Sequence, residues 1–147
     1  MNRKDNDRPV YDNLIIGDVY LMEFDGVGSE QSGIRPGVVF QNNVGNAHSP
    51  NVIALPLTTS MKRRGLPTHV VLSAKKYGLP YDSMVLCENP QRMSRQKIIK
   101  KITRLDDDAM RAIAMASALA SASIGFLSYD ELMSTWKRAK KLNGIYS

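Results

Sequence analysis

The side chains that could do chemistry concentrate around Arg35, which precedes Pro36 and follows the polar, glycine-bearing stretch Gly28-Ser29-Glu30-Gln31-Ser32-Gly33-Ile34. An arginine presents a planar fork of donors that matches phosphate oxygens. Pro36 pushes Arg35 toward an extended backbone and fixes the chain where the next strand begins. Gly26, Gly28 and Gly33 let the connection move and let another backbone approach closely. Ser29, Glu30 and Gln31 are polar groups that no apolar core calls for. A flexible loop feeding an anchored arginine is a way to hold a phosphate. Metal chemistry has less to work with: His48 and His69 are far apart and Cys87 is the only cysteine, so no ligand spacing stands out. His69, inside an apolar run, reads as a packed residue, Cys87 as a small core residue, and His48 as part of a loop.

The scaffold for Arg35 must come from 147 residues, enough for one domain with a real core. With 43% apolar and 23% charged residues, the composition excludes disordered and membrane-embedded classes. No apolar run is long enough to cross a bilayer, and the N-terminus lacks the apolar centre of a signal peptide. These features, with the single cysteine, point to the cytoplasm. The net charge of +6 is uneven: residues 1–61 carry −3, residues 62–104 carry +9, and the remainder is neutral. The basic middle third fits either a polyanion or a solvated face.

Residues 1–13 are polar and expected to be flexible, leaving 14–147 as a single domain. Strands are expected at Gly17–Phe24, Gly37–Gln41, Asn51–Leu57, Thr68–Ser73, Ser83–Glu88 and, short, Ile98–Ile102. Between them, Gly28–Pro36 and Thr58–Pro67 read as polar loops, Asn42–Pro50 as a loop or one helical turn, and Lys75–Pro80 as a turn. Pro56 argues that the third strand is an edge or carries a bulge. Short strands with turn signals between them suggest a small barrel or sandwich. Asp106, Asp107 and Asp108 suit the start of a helix, and an alanine-rich helix is expected to run to about Ile124. Its large residues spread over more than one face, which suits contact with the strands on one side and a second subunit on the other. Ser128 to Glu131 has the form of a capping box that opens a last helix, stopped at Gly144. The class is therefore α+β, mainly β with C-terminal helices, extended from about residue 126.

The order of these segments resembles the MazF/PemK family, the toxin endoribonucleases of bacterial toxin–antitoxin pairs. The matching residues are G-D-V-Y (Gly17 to Tyr20), G-S-E-Q-S-G-I-R-P (Gly28 to Pro36), S-P-N-V-I-A-L-P-L-T (Ser49 to Thr58), L-P-T-H-V (Leu66 to Val70) and D-S-M-V-L-C-E-N (Asp82 to Asn89). The likeness covers roughly residues 16–124, and the last helix extends beyond it. It implies an SH3-like β-barrel of the MazF/CcdB type and a homodimer. It also implies cofactor-free, metal-independent cleavage of single-stranded RNA at a short sequence. In that chemistry the 2′-hydroxyl attacks the adjacent phosphate and leaves a 2′,3′-cyclic phosphate and a 5′-hydroxyl. A MazE-like antitoxin would lie over the RNA groove, and any DNA contact would come only through it.

Carried over residue by residue, the resemblance makes Arg35 and Thr58 catalytic. Arg35 would stabilise the phosphorane, and Thr58 would hydrogen-bond a phosphate oxygen or the attacking hydroxyl. A proton carrier is still needed: Glu88 is the first candidate and Glu30 the second. Gln31 and Asn89 resemble base-reading or backbone-positioning amides. Ser29, Glu30 and Thr59 are further substrate contacts, and Lys62, Arg63 and Arg64 are backbone contacts, with Lys97, Lys100, Lys101 and Arg104 as additional guides. Ser29 stands where some relatives carry histidine, and Gln91-Arg92 stands where relatives commonly read Arg-Thr. On a strand that shift moves the cation to the other face. Two other readings compete with the ribonuclease. One is a CcdB-like toxin that binds DNA gyrase without cutting RNA; the other is a plain nucleic-acid-binding module.

Overall fold

A computed structural model describes residues 13–26, 32–62 and 65–145 of the chain. The expected flexible N-terminal segment falls almost wholly outside these residues. So do Ser29, Glu30, Gln31, Arg63 and Arg64.

The described chain forms seven strands: β1 (Asp18–Asp25), β2 (Ser32–Val39), β3 (Asn51–Thr58), β4 (His69–Leu72), β5 (Ser83–Leu86), β6 (Gln91–Ser94) and β7 (Ile98–Arg104). Helix α1 (Asn43–His48) joins β2 to β3, α2 (Ala74–Tyr77) joins β4 to β5, and α3 (Asp107–Ser121) and α4 (Tyr129–Leu142) follow the sheet. All ladders are antiparallel. The path runs β4-β5-β3-β2-β1-β7, and β6 pairs with β3 beside it. No ladder joins β4 to β7 among the described residues, so the sheet is open where the resemblance implied a closed barrel.

Two strands differ from the expectation in ways that matter for the site. β2 begins at Ser32, not at Gly37, so Arg35 lies inside a strand, opposite Met22 of β1. The β2–β3 ladder starts only at Gly37, one residue past Pro36. Pro56 sits in the middle of the sheet and not at its edge. On its far side β3 pairs with β6 through Ala54 and with β5 from Leu57 onward. Pro56 thus falls where the strand changes partners, where a missing N–H interrupts neither of these ladders. Gly37 is dictated by packing: a Cβ there would stand 2.5 Å from the ring of Phe24.

The interior is two apolar clusters. One gathers Val19, Val38, Leu55, Leu57 and Val85 under α3, which contributes Ala109, Ile113 and Ala116 at helical spacing. The other holds Tyr20, Met22, Phe24, Val39, Val52 and Met93. Asp106 caps α3 by accepting a hydrogen bond from the Ala109 amide at 2.9 Å. This bond is the leading cause holding the Asp106 carboxyl below its usual range. The helix stops at Ala122, whose φ of 53° is left-handed, short of Ile124. Met115 and Leu119 on its outer face remain exposed. The last helix follows the expected capping box: the Ser128 amide donates to Glu131 at 3.0 Å and the Glu131 amide to Ser128 at 3.2 Å. Its C-terminal end docks on α1, where Asn143 Oδ1 accepts from the Asn43 amide at 3.1 Å. No helix among the described residues is long and apolar enough to cross a membrane.

Candidate active site

Arg35 and Thr58 come from different strands and meet at one cleft of about 520 Å³. The strand geometry explains the meeting. The Arg35 guanidinium is half-buried and donates from Nε to the Ser32 carbonyl at 2.9 Å and from Nη1 to the Leu57 carbonyl at 3.5 Å. The first bond fixes the base of the fork on its own strand. The longer second contact reaches across to the residue immediately before Thr58. Thr58 is only 6% exposed, and its Oγ1 accepts from the Ser60 amide at 3.1 Å. That turn orients the hydroxyl and leaves its proton to be donated. Thr59 and Lys62 line the same cleft, and Leu21, Pro36 and Ile102 give it an apolar wall. The result is a guanidinium, a hydroxyl and an ammonium around a partly apolar hollow, a combination suited to a phosphodiester with its bases.

Glu88 and Asn89 lie elsewhere. They border a second cleft, of about 420 Å³, together with Asp25, Gln91 and Arg92. Glu88 is held there by His69, whose Nε2 is 2.7 Å from Glu88 Oε1, with side chains 2% and 34% exposed respectively. The His69 side chain is buried, as expected of a packed histidine, but it also anchors a carboxylate. Asp25 of the second cleft pairs with Ser32, whose carbonyl holds Arg35 beside the first. Ser29, Glu30 and Gln31 belong to the β1–β2 connection.

The cations of β7, and Lys97 just before it, are more occupied than the charge count suggests. Arg104 Nε is 2.6 Å from the fully buried Asp18 carboxylate, Lys101 Nζ is 3.8 Å from it, and Lys97 Nζ lies 3.3 Å from Glu23. Hydrogen bonding to Asp18 raises the Arg104 guanidinium pKa further above its ordinary value. Cys87 is not poised as a nucleophile, because burial pushes its thiol up to about 12. On β6, which sequence reasoning missed, Met93 is buried while Gln91 is half-buried and Arg92 is exposed. The Arg92 side chain therefore points away from the core, opposite to Met93.

The fold has known relatives. Residues 16–120 match the family described as PemK-like, MazF-like toxins of type II toxin–antitoxin systems. The chain is 41% identical over 111 residues to the endoribonuclease EndoA of Bacillus subtilis, covering 75% of this chain and 96% of that protein. A mycobacterial endoribonuclease solved with its cognate antitoxin superposes with a TM-score of 0.61 at 25% identity, covering 75% of this chain and 96% of that one. MazF from Deinococcus radiodurans superposes with a TM-score of 0.62 at 21% identity, covering 74% and 96%, which shows the shared fold. An open antiparallel sheet followed by C-terminal helices is thus the fold shared with toxins of the MazF type. The chain belongs to the PemK/MazF toxin family.

Proposed function

We propose that the chain is an endoribonuclease toxin that cleaves single-stranded RNA at a short sequence without a metal, in the cleft between β2 and β3. The observation that carries this reading is the convergence of Arg35 and Thr58 on that cleft. The fork of Arg35 binds the non-bridging oxygens and stabilises the added charge of the phosphorane. Its fixed positive charge performs what a metal ion performs in other nucleases. Thr58 donates its hydroxyl to the reacting phosphate or holds the attacking 2′-hydroxyl. The 2′-oxygen bonds to phosphorus, the bond to the 5′-oxygen breaks, and a proton passes from the first oxygen to the second. The ends are a 2′,3′-cyclic phosphate and a 5′-hydroxyl. The proton travels through a carboxylate; Glu88, held by His69, lines the second cleft, so the role falls to Glu30, and Glu30→Gln lowers kcat. Lys62, with Arg63 and Arg64 after it, receives the RNA backbone, while Ser29, Gln31 and Asn89 contact nucleotides on either side.

The active form is a cytoplasmic homodimer, and a MazE-like antitoxin covers the groove. The structure of a mycobacterial relative with its cognate antitoxin supports that partner. Incubating the purified protein with a long single-stranded RNA in EDTA, with Arg35→Ala alongside, tests the reading. Discrete cuts with cyclic-phosphate and 5′-hydroxyl ends, absent in the variant, are expected. Intact RNA together with gyrase-dependent DNA breaks would transfer the chain to the gyrase-poisoning class.

A further inference from the structure

Tyr81 is 70% exposed yet lines the cleft that holds Arg35 and Thr58. The sequence does not single it out: it follows the expected turn Lys75–Pro80 and precedes the strand at Ser83. The structure shows a ring presented by a backbone that is fixed on both sides. Gly78, at a φ of 68°, ends α2, and the Leu79 amide donates to the Ala74 carbonyl at 3.1 Å. Leu79 is itself buried in the core and Pro80 follows with its φ locked. On the other side, Asp82 Oδ1 accepts from the Ala74 amide at 2.8 Å, and Ser83 Oγ donates to the carbonyl of Tyr81 itself at 2.8 Å. The loop thus has little freedom, and the ring has only its own two side-chain torsions left. A rigid, amphipathic aromatic held at a cleft mouth loses little entropy when it is covered.

We infer that Tyr81 is the stacking platform for one nucleobase of the bound RNA, next to the phosphate engaged by Arg35 and Thr58. The inference rests on the ribonuclease reading above and adds a binding residue to it. Arg35 and Lys62 line the same cleft and take the backbone charge. Leu21, Pro36 and Ile102 add apolar lining, and Tyr81 with Pro80 completes it with surface against which a flat apolar base face can lie. Stacking reads a π-face and not a hydrogen-bonding edge. Tyr81 therefore sets affinity and position more than the identity of the base.

The test measures binding of the full chain to its RNA, made uncleavable by a 2′-deoxyribose at the cut position. Each nucleotide in turn is replaced by an abasic one. Tyr81→Ala weakens binding of the intact oligonucleotide about tenfold, and Tyr81→Phe and Tyr81→Trp bind like the parent. The parent protein loses about tenfold at one abasic position beside the cut. Tyr81→Ala loses nothing further there, while losses at the other positions are unchanged. Thermal midpoints of the variants serve as the folding control. Binding of Tyr81→Ala within twofold of the parent, or losses that add at every position, would overturn the stacking role while RNA cutting by the parent keeps the ribonuclease reading. A parent protein that neither binds nor cuts RNA would remove both.

Discussion

Replacing Arg35 with lysine keeps the charge at the cleft and removes the fork. In the structure the guanidinium works through two of its nitrogens: Nε is anchored on Ser32 at 2.9 Å and Nη1 leans on Leu57 at 3.5 Å. A lysine has one nitrogen. Its three donors radiate from that single atom, so it cannot anchor on the Ser32 carbonyl through one nitrogen while aiming a parallel pair from others at the phosphate. Loss of one aimed donor to a developing oxyanion lowers the rate by about 100- to 1,000-fold. Retained charge places Arg35→Lys at the mild end, about 100-fold down in kcat, and Arg35→Ala at about 1,000-fold or beyond. KM moves little in Arg35→Lys, because Coulomb attraction to the backbone survives. The fold also survives: two carbonyls of a half-buried site lose a partner, which costs about 1 kcal/mol. The assay is single-turnover cleavage of an oligonucleotide with one ribose at the cut position, followed over a range of enzyme concentrations. Cleavage by Arg35→Lys within threefold of the parent would show that charge alone suffices and that the fork geometry is irrelevant.

Further outcomes follow from the same geometry. Thr58→Val keeps shape at a buried position and deletes the hydroxyl, so cleavage falls by about tenfold or more while Thr58→Ser stays near the parent; the lost bond to the Ser60 amide lowers stability by about 1 kcal/mol, read by denaturant unfolding. Asp106 has its folded pKa depressed, so its contribution to stability is present above the ordinary carboxylate range and is lost as the pH falls through the folded value. Asp106→Asn, which still caps, is therefore expected to flatten the acid side of the stability–pH curve in thermal melts while changing little at neutral pH. Ala122→Gly relieves a left-handed alanine at the end of α3 and raises stability by about 0.5–1 kcal/mol, seen as a higher melting temperature.

Much of the frame was legible because local signals and global fold agree. The alternating apolar residues of β1, the Asp106 cap and the Ser128/Glu131 capping box each act over a few residues, and each appears where the pattern places it. Failures came where tertiary pairing decides. Ser32–Pro36 carries loop-like residues, yet pairing with β1 from Asp25 to Leu21 draws it into a strand. Gln91–Ser94 has only Met93 to mark it, and it becomes a strand by adding to β3. Pro56 gives a correct local rule the wrong place, since a strand can change partners in the middle of a sheet. At the site, Arg35 and Thr58 were readable as a pair through the family resemblance. The distance of Glu88 from them was not, because the β4–β5 register decides it by bringing His69, across from Leu86, to its side. Tyr81 carried no pattern at all: its exposure beside the cleft comes from the way Asp82 and Ser83 tie the turn.

The most direct test of the central claim, that a ribose hydroxyl attacks a phosphate held by Arg35 and Thr58, changes one atom of the substrate. An oligonucleotide of the preferred sequence is prepared with ribose or 2′-deoxyribose at the cut position, and binding and cleavage are measured in EDTA. The account predicts binding within a few-fold for both, cleavage of the ribose form to a 2′,3′-cyclic phosphate, and no cleavage of the deoxy form. Comparable cleavage of both forms would contradict it, because a nucleophile other than the 2′-hydroxyl would then be attacking.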